Sequence, residues 1–216
     1  NMKNDFCLIF DMDGTLWDAT GSILNSANEV LEKEKGWKDY LDLDTLSRVM
    51  GLEIEEIANI YFPELEQEEK MDLIYKVMDN ENLYLSKHGG ILYPNVESTL
   101  QILSQKYDLM IVTNAQEGYT DAMYQSHGLK KYFIDELTYG ETMKPKGQNI
   151  SLIMERNNYQ KAYYIGDTQK DKDACEFAKI PFVYASYGFG DVKDYDKKID
   201  SFEELLHPEN DIYIEK

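Results

Sequence analysis

Past residue 90 the chain alternates short apolar runs with amphipathic stretches, and that alternation leaves few folds open. Val96 to Lys106 reads as a helix with Val96, Leu100 and Leu103 on one face, and DLMIVTN (Asp108 to Asn114) as a buried strand. A helix then ends near Gly128, and Phe133 to Tyr139 forms a weaker strand. Ile150, Ile153 and Met154 mark another helix, followed by the strand AYYIGD (Ala162 to Asp167), a helix over Lys172 to Lys179, and a last strand FVYAS (Phe182 to Ser186). Strands that alternate with helices of about ten residues imply crossover connections and a parallel sheet. FCLIF (Phe6 to Phe10) has the same continuous apolar texture and supplies a strand buried on both faces.

Between these parts the texture differs. Ile23, Ala27, Val30 and Leu31 fall on one face of a helix that Gly36 stops. Helical patterns follow from Asp44 to Met50, from Glu53 to Tyr61, and from about Glu66 to Lys87, closing at Gly89-Gly90. No strand pattern is present from 16 to 90. The expected architecture is α/β: a Rossmann-like parallel sheet core, residues 1–15 and 91–216, with an inserted all-helical cap domain at 16–90. A chain of 216 residues with 43% hydrophobic side chains is long enough for both.

Open parallel sheets bind ligands beyond the carboxyl ends of their strands. Here those ends are polar. The first strand runs into Asp11 and Asp13, the second into Thr113 and Asn114, and the fourth into Gly166-Asp167-Thr168 with Asp171 close behind. Any one of these acids alone reads as a loop or capping residue. Four converging on one sheet edge require a cation. The three histidines, His88, His127 and His207, have no ligand spacing, and an all-oxygen donor set suits Mg²⁺.

DMDGTLWD (Asp11 to Asp18) resembles the first motif of the haloacid dehalogenase-like (HAD) superfamily, IVTN its second, and YIGDTQKD its fourth. The helical stretch between the first two motifs is similar to the cap of the phosphoglycolate phosphatase-like branch. The resemblance implies that Asp11 attacks phosphorus to form an aspartyl-phosphate, and that Asp13 protonates the leaving alcohol and then deprotonates water. It implies Mg²⁺ held by the Asp11 carboxylate, the Asp13 backbone carbonyl and Asp167, with Asp171 as ligand or support. The Thr113 hydroxyl and the Asn114 backbone N–H would bind phosphoryl oxygens. The third motif needs a lysine ahead of a core helix, and MKPKGQNI offers both Lys144, in the Lys-Pro form common in the family, and Lys146, which stands closer to the helix.

The implied activity is hydrolysis of a small phosphorylated metabolite, with phosphoglycolate the first candidate by resemblance. A dehalogenase of this superfamily lacks the second acid, which Asp13 supplies. A sugar phosphomutase and a non-catalytic phosphate-binding regulatory module are the alternatives, the latter opposed by the presence of every motif acid.

Twenty-two basic against forty-one acidic residues give a net charge of -19, which disfavours a nucleic-acid partner. No stretch approaches the ~18 consecutive apolar residues of a membrane span, and no basic segment leads into an apolar one near the start. Cys7 and Cys175 read as buried thiols, so the expected location is cytoplasmic and reducing. The YGFG segment (Tyr187 to Gly190), near the same sheet edge, reads as a plain turn with contact to the site as the alternative, and Trp17 and Asp18, where the chain passes from core to cap, are expected to border the substrate pocket.

Overall fold

The computed structural model describes residues 2–207. Strand β1 (Cys7–Phe10) is buried along its whole length and occupies the interior of a six-stranded parallel sheet. Its side chains alternate between faces. Cys7 and Ile9 enter a core with Met110, Val112 and Ile150, while Leu8 and Phe10 enter a larger core with Leu109, Ile111 and Ile165. Both cysteines are free and buried.

After β1 a two-residue strand β2 (Trp17–Asp18) leads to helices α1 (Thr20–Lys35), α2 (Leu43–Val49), α3 (Ile54–Tyr61) and α4 (Gln67–His88), and β3 (Ile91–Leu92) returns the chain. β2 and β3 pair antiparallel, Trp17 with Leu92 and Asp18 with Ile91. The sequence reading expects no strand in this stretch. Two residues are too few to show a period, and their partner lies more than seventy positions away. α1 packs on α4, and α4 in turn packs on α6 (Tyr119–His127).

The remaining chain supplies α5 (Val96–Lys106), β4 (Leu109–Thr113), β5 (Asp135–Thr138), α7 (Tyr139–Thr142), α8 (Lys146–Arg156), β6 (Ala162–Gly166), α9 (Gln169–Ala178), β7 (Phe182–Ala185) and β8 (Lys197–Ile199). The sheet order is β5-β4-β1-β6-β7-β8. The chain runs outward from β1 through β4 to β5, then crosses back to β6 on the other side, so the connections diverge at β1. In such sheets that divergence leaves a crevice beyond the strand ends. The fold class is therefore the expected one: a Rossmann-like α/β core with an inserted helical cap.

Two boundaries differ from the sequence reading. FVYAS is not the last strand, because the edge strand β8 follows. Its Lys197-Lys198-Ile199 carries the lysines typical of a protected sheet edge, which hide the apolar pattern. α9 starts at Gln169, three residues earlier than the apolar pattern indicates, because Thr168 and Asp171 form a reciprocal capping box. No helix among the described residues is long and apolar enough to cross a membrane.

Candidate active site

The residues that follow β1, β4 and β6 meet at the crevice. Asp11 is buried directly after β1, and its Oδ1 accepts a hydrogen bond from the Met12 N–H at 2.8 Å. Asp167 follows β6, fully buried; its Oδ2 accepts the Phe189 N–H at 2.8 Å and its Oδ1 lies 3.5 Å from the Thr15 hydroxyl. Asp171 sits in the first turn of α9 and faces back. Its Oδ2 accepts the N–H groups of Asp167 (2.9 Å) and Thr168 (3.1 Å), so the loop after β6 is folded around this carboxylate. Carboxylate oxygens of Asp11, Asp167 and Asp171 lie within 4.8 Å of one another.

Lys146, the first residue of α8, is the cation among them. Its ammonium donates to Asp171 Oδ1 at 2.5 Å, lies 3.4 Å from Asp11 Oδ1, and stands 5.5 Å from the centre of the Tyr164 ring. Lys144 is exposed, two residues ahead of the helix, and makes no contact with this cluster. Of the two lysines that the sequence leaves open, the fold thus brings Lys146 into the crevice and leaves Lys144 at the surface.

Three buried carboxylates against one ammonium leave two positive charges wanting. Burial and the facing carboxylates push Asp11 well above the usual carboxylate range and Asp167 up to about 8, with Lys146 opposing both. An oxygen-only donor set short of two charges matches a small divalent cation, so these residues fit Mg²⁺.

Asp13 is held differently. Its Oδ1 accepts from the Tyr119 hydroxyl at 2.6 Å and the Trp17 indole N–H at 3.0 Å. Burial raises this carboxyl to about 6, although both hydrogen bonds pull it down. Thr113 Oγ1 accepts the Ala115 N–H at 3.3 Å, which leaves its hydroxyl hydrogen to donate elsewhere. The Asn114 Nδ2 donates to the Gly51 carbonyl, at 3.0 Å, on the loop between α2 and α3.

Glycines make room for this packing. Gly14 adopts φ +80°, and a Cβ there would lie 1.9 Å from Asp167 Oδ2. Gly51, at φ +89°, presents the carbonyl that Asn114 holds.

Sequence reasoning does not find Tyr119, Gln116 or Glu81, and it prefers a plain turn to a contact with the site for the YGFG segment. That segment is part of the site: Phe189 donates to Asp167, and the Tyr187 hydroxyl donates to the Thr15 carbonyl at 2.6 Å. The glycines of this turn carry the only available signal, since a Cβ at Gly188 would lie 2.4 Å from Asp167 Cβ.

The family model for haloacid dehalogenase-like hydrolases matches residues 8–185, which spans the crevice and the helical insertion. The chain belongs to this hydrolase family. Among curated relatives of the hydrolase, the phosphoglycolate phosphatase of Nitrosospira multiformis is 28% identical, over 87% of this chain and 86% of its own. That of Shigella boydii is 24% identical over 83% and 81%. Among solved structures, a haloacid dehalogenase-like family hydrolase from Streptococcus pneumoniae superposes with a TM-score of 0.78 at 21% identity, covering 94% of this chain and 97% of that one. A structure described as a predicted phosphoglycolate phosphatase from Haemophilus somnus gives 0.81 at 22%, covering 94% and 97%. At such identity the structural likeness speaks for the fold.

Proposed function

We propose that this hydrolase is a Mg²⁺-dependent phosphatase that cleaves a small phosphomonoester through a phosphorylated Asp11. The observation that carries this reading is the pairing of two acids in unlike settings. Asp11 lies beside Lys146 and the other carboxylates, whereas Asp13 is tied to Tyr119 and Trp17, and burial pushes its carboxyl up to about 6.

Asp11 Oδ1 is held by Met12 and Lys146, and a carboxylate oxygen of Asp11 attacks phosphorus. As the bond to the leaving oxygen breaks, Asp13 passes it a proton and leaves an alcohol. Asp13, now ionised, takes a proton from water, whose oxygen attacks phosphorus and releases phosphate and the free Asp11 carboxylate. Lys146, the Thr113 hydroxyl and the Asn114 backbone N–H stabilise charge on the phosphoryl oxygens, the main catalytic contribution in this chemistry. The carboxylates of Asp11 and Asp167 and the carbonyl oxygen of Asp13 would hold Mg²⁺, with Asp171 as support through Lys146 and the 167–168 backbone. The bound ion would supply the positive charge that the cluster lacks.

We assign residues 16–90 as a mobile cap and 1–15 with 91–216 as the catalytic core. The β2–β3 ribbon forms the two crossings between them, where His127 Nε2 lies 2.7 Å from the Gly90 carbonyl oxygen. Closure of the cap excludes water. Phosphoglycolate, which names the curated relatives, is the reference compound for the leaving group. Release of p-nitrophenol from p-nitrophenyl phosphate with Mg²⁺, abolished in Asp11→Asn, is the expected result; full turnover in that variant would overturn the assignment of the nucleophile.

A further inference from the structure

Asn82 lies on α4 where that helix meets the loop after β4. It is half-buried; its Nδ2 donates to the Glu117 carbonyl at 2.9 Å, and its Oδ1 accepts from Gln116 Nε2, also at 2.9 Å. Both ends of the amide are thus used. Reversing it would set its oxygen against a carbonyl and its nitrogen against another amide donor. The loop backbone comes as close as glycine permits: a Cβ at Gly118, at φ +92°, would lie 2.8 Å from Asn82 Nδ2.

The two ends of this loop are held separately. At its start, the Ala115 N–H donates to Thr113 Oγ1 at 3.3 Å, and the Ala115 carbonyl accepts the Gly140 N–H at 3.1 Å. The phosphoryl-binding end is therefore anchored without Asn82. At its finish, Gly118 leads directly into α6, and the Tyr119 N–H donates to the Gln116 carbonyl at 3.2 Å. The Tyr119 hydroxyl donates to Asp13 Oδ1 at 2.6 Å, and its ring stands edge-on to Trp17, with 5.8 Å between centres. Trp17 donates to the same oxygen. Both acceptor sites of Oδ1 are thus engaged, which leaves Oδ2 to carry the exchanged proton.

We propose that Asn82 is a positioning residue for proton transfer: by clamping Gln116 and Glu117 it fixes the start of α6, and with it the Tyr119 hydroxyl on Asp13. The proposal rests on the phosphatase reading above and adds a residue of the helical insertion to its acid–base machinery. Without the clamp, residues 116–118 gain freedom at one end only. The phosphoryl-binding end keeps its geometry, while Asp13 loses orientation. The step that suffers is the one in which the proton passes from Asp13 to the leaving oxygen as its bond to phosphorus breaks, giving a carboxylate and an alcohol.

The ratio kcat/KM covers the reaction up to departure of the leaving group, so it isolates that step. It is compared for p-nitrophenyl phosphate, whose leaving group needs no proton, and for the fastest-cleaved of phosphoglycolate, glycerol 3-phosphate and ethyl phosphate. Asn82→Ala should lower the alkyl value by about five-fold and the p-nitrophenyl value by less than about two-fold. In a Tyr119→Phe background it should lower the alkyl value by less than about two-fold more, because Asn82 acts through that hydroxyl. Should Asn82→Ala not fold, Asn82→Asp, which keeps an acceptor for Gln116 and sets an oxygen against the Glu117 carbonyl, should show the same selective loss. An alkyl value that falls no more than the p-nitrophenyl value, or losses that add fully to those of Tyr119→Phe, overturn the inference and leave the phosphatase reading standing. Cleavage of p-nitrophenyl phosphate alone by the wild type also overturns it, since Asp13 then delivers no proton. Failure to hydrolyse any of the four esters overturns the phosphatase reading and this inference with it.

Discussion

Lys146 donates to Asp171 Oδ1 across 2.5 Å in a fully buried pair, and this contact holds the ammonium 3.4 Å from the carboxylate of Asp11. Asp171 in turn is fixed by the N–H groups of Asp167 and Thr168 at the start of α9. One carboxylate thus couples the loop after β6 to the only cation that faces Asp11 among the described residues.

Removing that cation leaves three buried carboxylates together. Lys146→Ala should cost about 3–5 kcal/mol of stability without Mg²⁺ and lower kcat about 100-fold or more. Lys144→Ala, at an exposed position, should change stability by less than about 0.5 kcal/mol. Urea unfolding and steady-state kinetics on both variants check the contrast; equal effects would contradict the placement of Lys146.

A cation that neutralises the cluster binds only the folded chain. Adding Mg²⁺ at about 100 times its dissociation constant should therefore stabilise the protein by about 2.7 kcal/mol. Thermal denaturation with Mg²⁺ and with a chelator measures it. Asp167→Asn should abolish most of the shift, and an undiminished shift would exclude Asp167 as a ligand.

Tyr119 and Trp17 both donate to Asp13 Oδ1, and in the proposed mechanism they orient it for proton transfer. Tyr119→Phe should reduce kcat by about ten-fold for an alkyl phosphate, whose leaving oxygen needs a proton, and by less for release of p-nitrophenolate, which does not. Equal losses on the two esters would show that Tyr119 acts only in packing.

Burial, with Asp13 adding repulsion and Gln116 opposing, pushes Glu81 from its ordinary 4.5 up to about 8. Between these values the unfolded chain has given up a proton that the folded one keeps. The stability contributed by the protonated group is full below the lower value and is lost as pH climbs to the upper one. In Glu81→Gln that decline disappears, so the melting temperature of the variant relative to wild type should climb by on the order of 5 °C between pH 5 and 8. Parallel curves would refute the shift.

Most of the sheet can be read from sequence because its central strands are buried on both faces and therefore apolar throughout, as in Cys7–Phe10 and Leu109–Thr113. Asp11, Asp13, Asp167 and Asp171 are legible as a group for a related reason: each alone reads as a loop or capping residue, but four acids at or just beyond the ends of such runs have to share one sheet edge. The β2–β3 ribbon and β8 are not legible, since one is two residues long and the other carries lysines at a sheet edge. Tyr119, Gln116 and Glu81 are invisible for another reason. Each is an ordinary polar residue on a helix or in a loop, and only the approach of α4 to α6 brings them to Asp13 and to one another.

The proposed phosphorylation of Asp11 should become observable in Asp13→Asn. With p-nitrophenyl phosphate the first step needs no acid, while the second lacks its base, so the acyl phosphate accumulates. Rapid quenching, borohydride reduction and peptide mass spectrometry should then show homoserine at position 11, in step with a burst of about one equivalent of p-nitrophenol. A burst with Asp11 unmodified would contradict the proposed mechanism.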